Sequence, residues 1–414
     1  MQNVSSSNSQ AVNVPKLRFP GFEGEWYVSS FNEIFDFLSN NTLSRAELTH
    51  EGEVENIHYG DILTKFGDVV DCTKEELPYI ADKAKLGSKT SYLQNGDVII
   101  ADTAEDDTVG KATEIFNIQT PVVSGLHTMA CRPRLNFESR FLGYYINSAC
   151  YHNQLYPFMQ GVKVTSISKG NIALTKIRYP ANKEQQKIAS MIALLDDRIK
   201  KQQQLIDSLK LYKRGALNSL FNRTLQFDKN ATWVKKRIDE IFAERCERAS
   251  GNEQLLAVTI NNGVQIRDAI DKKDNSSDDK NNYKKVYKGD IAYNTMRMWQ
   301  GASGCSSFDG IVSPAYTVIF PIKKEEQNII FWSFYFKDRE LIKTFQKFSQ
   351  GLTSDTWNLK YTQMASIRVF VPRYSEQCKI AEFLTSFDEK INCEESRLNH
   401  LQKLKHGLLN NMFV

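Results

Sequence analysis

The chain has 414 residues, 41% hydrophobic and 25% charged, which is enough for two or three domains with cores of their own. Its 53 basic and 49 acidic residues leave a net charge of +4, which permits a local polyanion-binding patch but does not by itself argue for one. No run approaches the ~20 apolar residues of a membrane span, and seven cysteines without a CxxC pair suggest neither a disulfide framework nor a zinc knuckle.

In chain order, residues 1–14 are polar and Ser/Asn-rich and are predicted to be a disordered tail. "MQNVSSSNSQ" lacks the basic and apolar parts of a signal peptide, so a cytoplasmic location is expected. Residues 15–180 read as a first globular head. Its short β-rich runs "GDVIIAD" (96–102) and "TPVVSG" (120–125) are followed by an aromatic helical stretch at 141–156. A long helix is predicted over 181–221 and a linker over 222–232. A second head over 233–373 repeats the order: "GDIAYN" (289–294), "AYTVIFP" (315–321), then an aromatic helical stretch at 329–348. A second long helix follows over 374–414. Strands followed by helices within each head indicate an α+β class.

The chain is internally duplicated. "EQQKIA" at 184–189 returns as "EQCKIA" at 376–381, and 184–221 lies on 376–413 without a gap. Thirteen of those 38 positions are identical: Glu184, Gln185, Lys187, Ile188, Ala189, Asp196, Ile199, Leu209, Lys213, Gly215, Leu217, Asn218 and Phe221 each recur 192 later. Pro180 recurs as Pro372. Fainter echoes join the heads, among them Trp26 with Trp233, "VVSGLHT" (122–128) with "IVSPAYT" (311–317), and Gln-Gly at 160–161 and 350–351. A period near 190 is too long for a solenoid unit and marks two copies of a head plus its helix.

The helices carry a heptad seam of Ile188, Ile192, Leu195, Ile199, Ile206 and Leu209, answered by Ile380, Leu384, Phe387, Ile391, Leu398 and Leu401. About 36 residues at ~1.5 Å each give a rod of roughly 54 Å. Asn182 and Ser375 are expected to cap the two helices. Gln202 and its counterpart Glu394 are polar seam positions, as are Lys213 and Lys405. They read either as solvated kinks or as register control, with Gln202 and Glu394 meeting if the helices pair antiparallel. Such a pair would be a spacer with a head at each end.

No catalytic constellation emerges. The chain contains no Pro-Pro dipeptide, as an amino-methyltransferase motif would need, no GxGxxG after a strand and no HExxH. "VGKAT" (109–113) fails as a phosphate loop, with Ala112 where Ser or Thr is needed. "FDEK" (387–390) reads as a solvated helix face. Other stretches suit DNA. In "TMRMWQG", Arg297 and Gln300 have the donors that read guanine and adenine edges, with Trp299 between them as core or stacking platform. "QGVKVTSISKG" offers Lys163, Thr165, Ser166 and Lys169, and "SQGLTSDTWN" offers Thr353 and Ser354. These are basic and hydroxyl groups suited to phosphates, or ordinary polar loops. "NIHYGDI" (56–62) reads as a turn near a ligand surface.

Two dissimilar heads, two repeated helices and the P…EQxxIA motif together resemble the specificity subunit of type I restriction–modification systems. The resemblance covers about 15–414 and is carried by Pro180, Glu184, Gln185, Ile188 and Ala189, and again by Pro372, Glu376, Gln377, Ile380 and Ala381. "LRFPGFEGEW" (17–26) also looks like the family's opening. The resemblance implies two target recognition domains, each reading one half of a bipartite sequence in double-stranded DNA. They would be separated by two long antiparallel coiled-coil helices that set the spacer. It implies two modification subunits that use S-adenosylmethionine to methylate adenine, and restriction subunits that use ATP and Mg. It implies no cofactor and no catalysis in this chain. The rod corresponds to about 16 base pairs at roughly 3.4 Å each. The alternative is a coiled-coil protein-interaction scaffold without sequence-selective DNA binding.

Overall fold

The computed structural model describes residues 13–161, 163–228, 232–250, 253–260, 262–270 and 279–414. Most of the expected N-terminal tail, and 229–231 of the expected linker, therefore lie outside the described residues. The chain forms two compact units. One comprises 1–202 with 397–414, and the other 203–396. The units cut across the two sequence copies, because each takes part of both long helices.

In the first unit, strands Phe35–Phe37, Thr128–Pro133, Val98–Ala101, Ala112–Phe116 and Val69–Asp71 form a sheet in that order. It is antiparallel except for its last pair. The Val98–Ala101 strand is apolar throughout and buried throughout, as expected for a strand covered on both faces. A second sheet contains Val122–Ser124, Glu55–Ile57, Tyr79–Ile80 and Leu48–Thr49. The ribbon Tyr27–Ser30 with Lys176–Tyr179 leads toward the long helix. Aromatic helix α1 (Phe141–Ile146) is wholly buried. The sequence predicted one helical stretch over 141–156, but it breaks at Asn147–Ser148, where Asn147 exchanges hydrogen bonds with the Ala112 backbone (2.8 and 2.9 Å). Lys111 of "VGKAT" donates to the Leu63 and Phe66 carbonyls (3.0 and 3.1 Å) at the end of the short helix Tyr59–Thr64, a structural use of that lysine.

Long helix α2 runs unbroken from Asn182 to Phe221. In the second unit, strands Phe242–Glu244, Tyr316–Pro321, Ile291–Asn294 and Ser303–Cys305 form an antiparallel sheet. Ribbon Val234–Arg237 with Arg368–Val371 matches that of the first unit. Aromatic helix α3 (Ile329–Tyr335) precedes the helix Arg339–Phe348, which is capped by the Asp338 carboxylate at the Glu340 and Leu341 amides (3.1 and 3.0 Å). Long helix α4 spans Tyr374–Met412. The expected caps Asn182 and Ser375 therefore lie inside the helices. Each first turn is instead closed on the carbonyl before it, by Glu184 and Gln185 on Ala181 and by Glu376 and Gln377 on Arg373.

The repeated Glu-Gln pair is a structural lock. The Gln185 amide donates to the Pro180 carbonyl (2.8 Å), and its oxygen accepts the Glu138 N–H (3.1 Å) just before α1. The Gln377 amide donates to Pro372 (3.0 Å), and its oxygen accepts the Asn328 N–H (2.9 Å) just before α3. Both glutamines are buried, where an unpaired amide would be costly. Glu184 binds Arg18 through two oxygens (2.8 Å each), whereas Glu376 accepts the Phe227 N–H (3.0 Å).

Within each unit the two long helices run antiparallel. In the first, Lys405 reaches Asp196 (2.6 Å) and Asp68 (2.7 Å), while Ile188 and Ile192 share a core cluster with Met412. In the second, Lys213 reaches Asp388 (2.5 Å), while Leu220 and Phe221 share a cluster with Ile380 and Leu384. Of the seam, Ile188, Ile192, Leu195 and Ile206 are buried on α2, as are Ile380, Leu384, Ile391 and Leu398 on α4. Ile199, Leu209, Phe387 and Leu401 are half-buried. Gln202 is half-buried, and the buried Glu394 takes the Lys390 ammonium (2.8 Å). "FDEK" is more than a solvated face, since Asp388 holds Lys213. Phe413 enters the first core against Phe141 and Tyr145 (5.7 Å each), and its counterpart Phe221 enters the second against Phe331 and Tyr335 (5.7 and 4.6 Å).

Candidate nucleic-acid interface

Each unit brings three distant segments together through the same backbone contacts. In the first, Asp102, which follows the Val98–Ala101 strand, donates its N–H to the His127 carbonyl (3.1 Å) and accepts that of Ile167 (2.9 Å). In the second, Thr295, which follows the Ile291–Asn294 strand, donates to Ala315 (3.2 Å) and accepts from Leu359 (2.9 Å). The third segment in each case begins with the Gln-Gly echo and is a closed loop. Gln160 and Ser166 exchange two backbone bonds (3.1 and 2.8 Å), as do Gln350 and Asn358 (2.9 and 2.7 Å). Gly351 has φ +139°, and a Cβ there would meet the Thr356 carbonyl oxygen at 2.5 Å, so the turn requires glycine.

The side chains on these frames differ. In the first unit Lys163, Ser166 and Lys169 are exposed and Thr165 is half-buried. Thr165 and Ser166 pair with Thr103–Ala104. The Lys169 ammonium sits 5.7 Å over the Phe37 ring, near the Leu38 carbonyl. The structure adds groups that sequence spacing did not connect. The His127 ring lies 3.4 Å from both Thr103 Oγ1 and Asp102 Oδ1 and meets Tyr59 edge-on at 5.3 Å. Tyr59 belongs to "NIHYGDI", where His58 Nδ1 accepts the Gly60 N–H (3.2 Å) and Asp61 is clamped by Arg45 (2.6 and 2.9 Å). Burial, reinforced by the Arg45 charge, holds His58 below the usual histidine range.

In the second unit, Gln300, Thr353 and Ser354 are exposed, while Arg297 and Trp299 are half-buried. Trp299 meets Trp357 edge-to-face at 5.2 Å and donates to the Met296 carbonyl (3.1 Å). Both frames therefore display hydroxyls, to which the first adds imidazole and lysine groups and the second indole, guanidinium and amide.

Three buried acidic groups elsewhere in the heads, Asp97, Glu114 and Asp290, are committed to structure. A pocket of about 270 Å³ in the first unit is lined in part by Asp97, Glu114 and Arg132. Asp97 is held by Arg132 (2.8 and 2.9 Å) and the Gln94 N–H (2.7 Å). Its counterpart Asp290 is held by Arg245 (2.6 and 3.0 Å) and the Tyr287 N–H (3.0 Å). Burial pushes the Glu114 carboxyl up to about 7, against the amides of Gly143 and Arg140, which donate to it. Among the described residues no group of three His, Cys, Asp or Glu side chains is placed to hold a metal ion. No described helix is long and apolar enough to cross a membrane.

The model of the Type I restriction modification DNA specificity domain matches the chain twice, over residues 23–211 and 230–403. The chain belongs to this family. A curated Methanocaldococcus jannaschii protein, named as the type I restriction enzyme MjaX specificity subunit, is 23% identical over 255 residues. That match spans 60% of this chain and 57% of the relative, so the chain covers just over half the length of that protein. The crystal structure of the type I restriction–modification S subunit from M. genitalium superposes with a TM-score of 0.55 at 14% identity, over 97% of this chain and 99% of that one. A chain from a study of complex assembly and conformational transition in the type I system gives 0.54 at 15% identity, over 94% and 97%. At these identities the two structures establish a shared fold. The specificity-domain family accounts for the duplication, because each matched segment comprises one head and most of its long helix.

Proposed function

We propose that the chain is the DNA-reading subunit of a type I restriction–modification enzyme, each unit recognising one half of a bipartite target in double-stranded DNA. The observation that carries this reading is the three-segment frame, built alike in both units and dressed with different side chains. Such a frame holds reading groups rigidly while leaving their identity free, which is what two unlike half-sites require. Arg297 and Gln300 have donors matched to guanine and adenine edges, and Lys163, Lys169 and the hydroxyls of Thr165, Ser166, Thr353 and Ser354 suit phosphates. In this reading the paired helices set the spacer between half-sites and seat two modification subunits. Adenine methylation with S-adenosylmethionine, and cleavage with ATP and Mg, take place on partner subunits. This chain contributes position and selectivity and no catalytic group.

The test is sequencing with detection of methylated adenine in cells that carry this chain and a candidate modification subunit. The expected result is one methylated bipartite motif, of which one half changes when either head is exchanged. A stable complex of the two proteins without new methylation or sequence-selective binding would favour a protein-interaction scaffold.

A further inference from the structure

The loop after Gln350 has a feature that phosphate binding does not use. Leu352 is fully exposed, at 101% of its reference area. An exposed leucine on a slack loop would be unremarkable, but this loop is tightly pinned. The Gln350–Asn358 bridge closes its base. Thr356 donates its N–H to the Thr353 carbonyl (3.0 Å), as does Trp357 (3.1 Å), and the Thr353 N–H reaches Thr356 Oγ1 (3.1 Å). Gly351 takes a conformation closed to other residues. The apolar tip is therefore carried on a fixed backbone, and little backbone freedom remains to be lost on contact.

Its neighbours indicate what it meets. The loop stands on the Trp299–Trp357 pair, beside the Arg297–Gln300 segment. The tip carries the hydroxyls of Thr353 and Ser354 and the exposed carboxylate of Asp355, but no cation. The hydroxyls suit phosphates, whereas a carboxylate is repelled by phosphates and accepts well from a base amine, so this tip places a base-edge contact beside backbone ones. In the major groove the one apolar feature that distinguishes a base pair is the C5-methyl of thymine.

We propose that Leu352 is a specificity-determining residue that packs against the methyl group of a thymine in the half-site read by the second unit. This rests on the DNA-reading function above.

The test is selection from randomised duplexes by the full-length chain and by Leu352→Ala, followed by replacement of each selected thymine with deoxyuridine, which lacks only the methyl. The wild type is expected to lose roughly fourfold in affinity at one thymine of one half-site, the worth of one buried methyl group. Leu352→Ala is expected to bind thymine and deoxyuridine equally there, to keep every other preference and to melt at the wild-type temperature, since the side chain buries nothing in the fold. The assignment is overturned if Leu352→Ala still discriminates thymine from deoxyuridine, or if it weakens all positions alike. A wild type that selects no motif overturns the DNA-reading function and this assignment with it.

Discussion

The Lys213 ammonium stands 2.5 Å from the Asp388 carboxylate, and the residues related to them by the repeat, Lys405 and Asp196, stand 2.6 Å apart. Each lysine also lies over an aromatic ring of its own unit, Lys213 over Phe334 (5.0 Å) and Lys405 over Tyr144 (5.5 Å). One contact is thus made twice, but the surroundings differ. Lys405 holds two carboxylates, Asp68 and Asp196, which are 15% and 30% exposed, whereas Lys213, buried almost as far, holds only Asp388, which is 42% exposed. Burial alone would lower the Lys405 pKa, yet the two carboxylates outweigh it and hold the ammonium above its ordinary range. Lys405→Ala leaves two close carboxylates without their cation and is expected to cost about 3 kcal/mol. Lys213→Ala breaks a pair that water already screens and is expected to cost about 1 kcal/mol. Chemical denaturation of the two variants checks the order.

Gln185→Ala and Gln377→Ala are each expected to cost about 2–4 kcal/mol, because each strands a buried proline carbonyl and a backbone N–H. Their base preference in duplex selection should match wild type. A changed preference would give the repeated motif a reading role that its geometry does not support.

His58 supplies a pH dependence. Its folded pKa lies below the unfolded value near 6.5, so below that pH the unfolded chain binds the extra proton. The stability tied to the neutral ring is complete above about pH 6.5 and is lost as pH falls toward the folded pKa. The protonated ring also cannot accept the Gly60 N–H. The melting temperature is expected to fall as pH drops below about 6.5, and His58→Asn, which keeps a helix cap but does not titrate, is expected to flatten that slope.

Arg297→Ala and Gln300→Ala are expected to relax base preference at single positions of one half-site, at about 1–3 kcal/mol each. Lys169→Ala should weaken all sequences alike and reduce the dependence of log affinity on log salt by about one. Binding titrations at several salt concentrations separate the two classes.

A matched insertion of one heptad in each long helix, between Ile199 and Leu205 and between Ile391 and Arg397, is expected to lengthen the recognised spacer by about three base pairs. The half-sites should stay as they were. An unchanged spacer in a methylation map would remove the helices from the role of ruler.

The long helices were legible because a heptad seam is a local signal sustained over many turns, as Ile188, Ile192 and Leu195 show. Their first residues were less so. The capping propensities of Asn182 and Ser375 pointed one or two residues too late, since the helix ends are fixed by Gln185 and Gln377 reaching Glu138 and Asn328, far back in the sequence. The strand runs at 98–101 and 291–294 could be read from apolar content between turn residues. The meeting of Asp102 with His127 and Ile167 could not, because it rests on backbone bonds that any residue can make. Tyr59 and His127 lie 68 residues apart, and no sequence pattern marked them as neighbours; Leu352 and Trp357 lay inside the predicted loop, but only the structure shows one exposed and the other packed on Trp299.

The placement of Phe413 bears on how the chain folds as it is made. The core around Trp26, Phe141 and Tyr145 is closed by a residue synthesised almost 400 positions after Trp26, whereas the core around Phe331 and Tyr335 receives Phe221 before its own head has even been translated. Domains made first ordinarily finish first. Here the first head cannot acquire Phe413 until the second has been made, whereas Phe221 is in place before the second head begins.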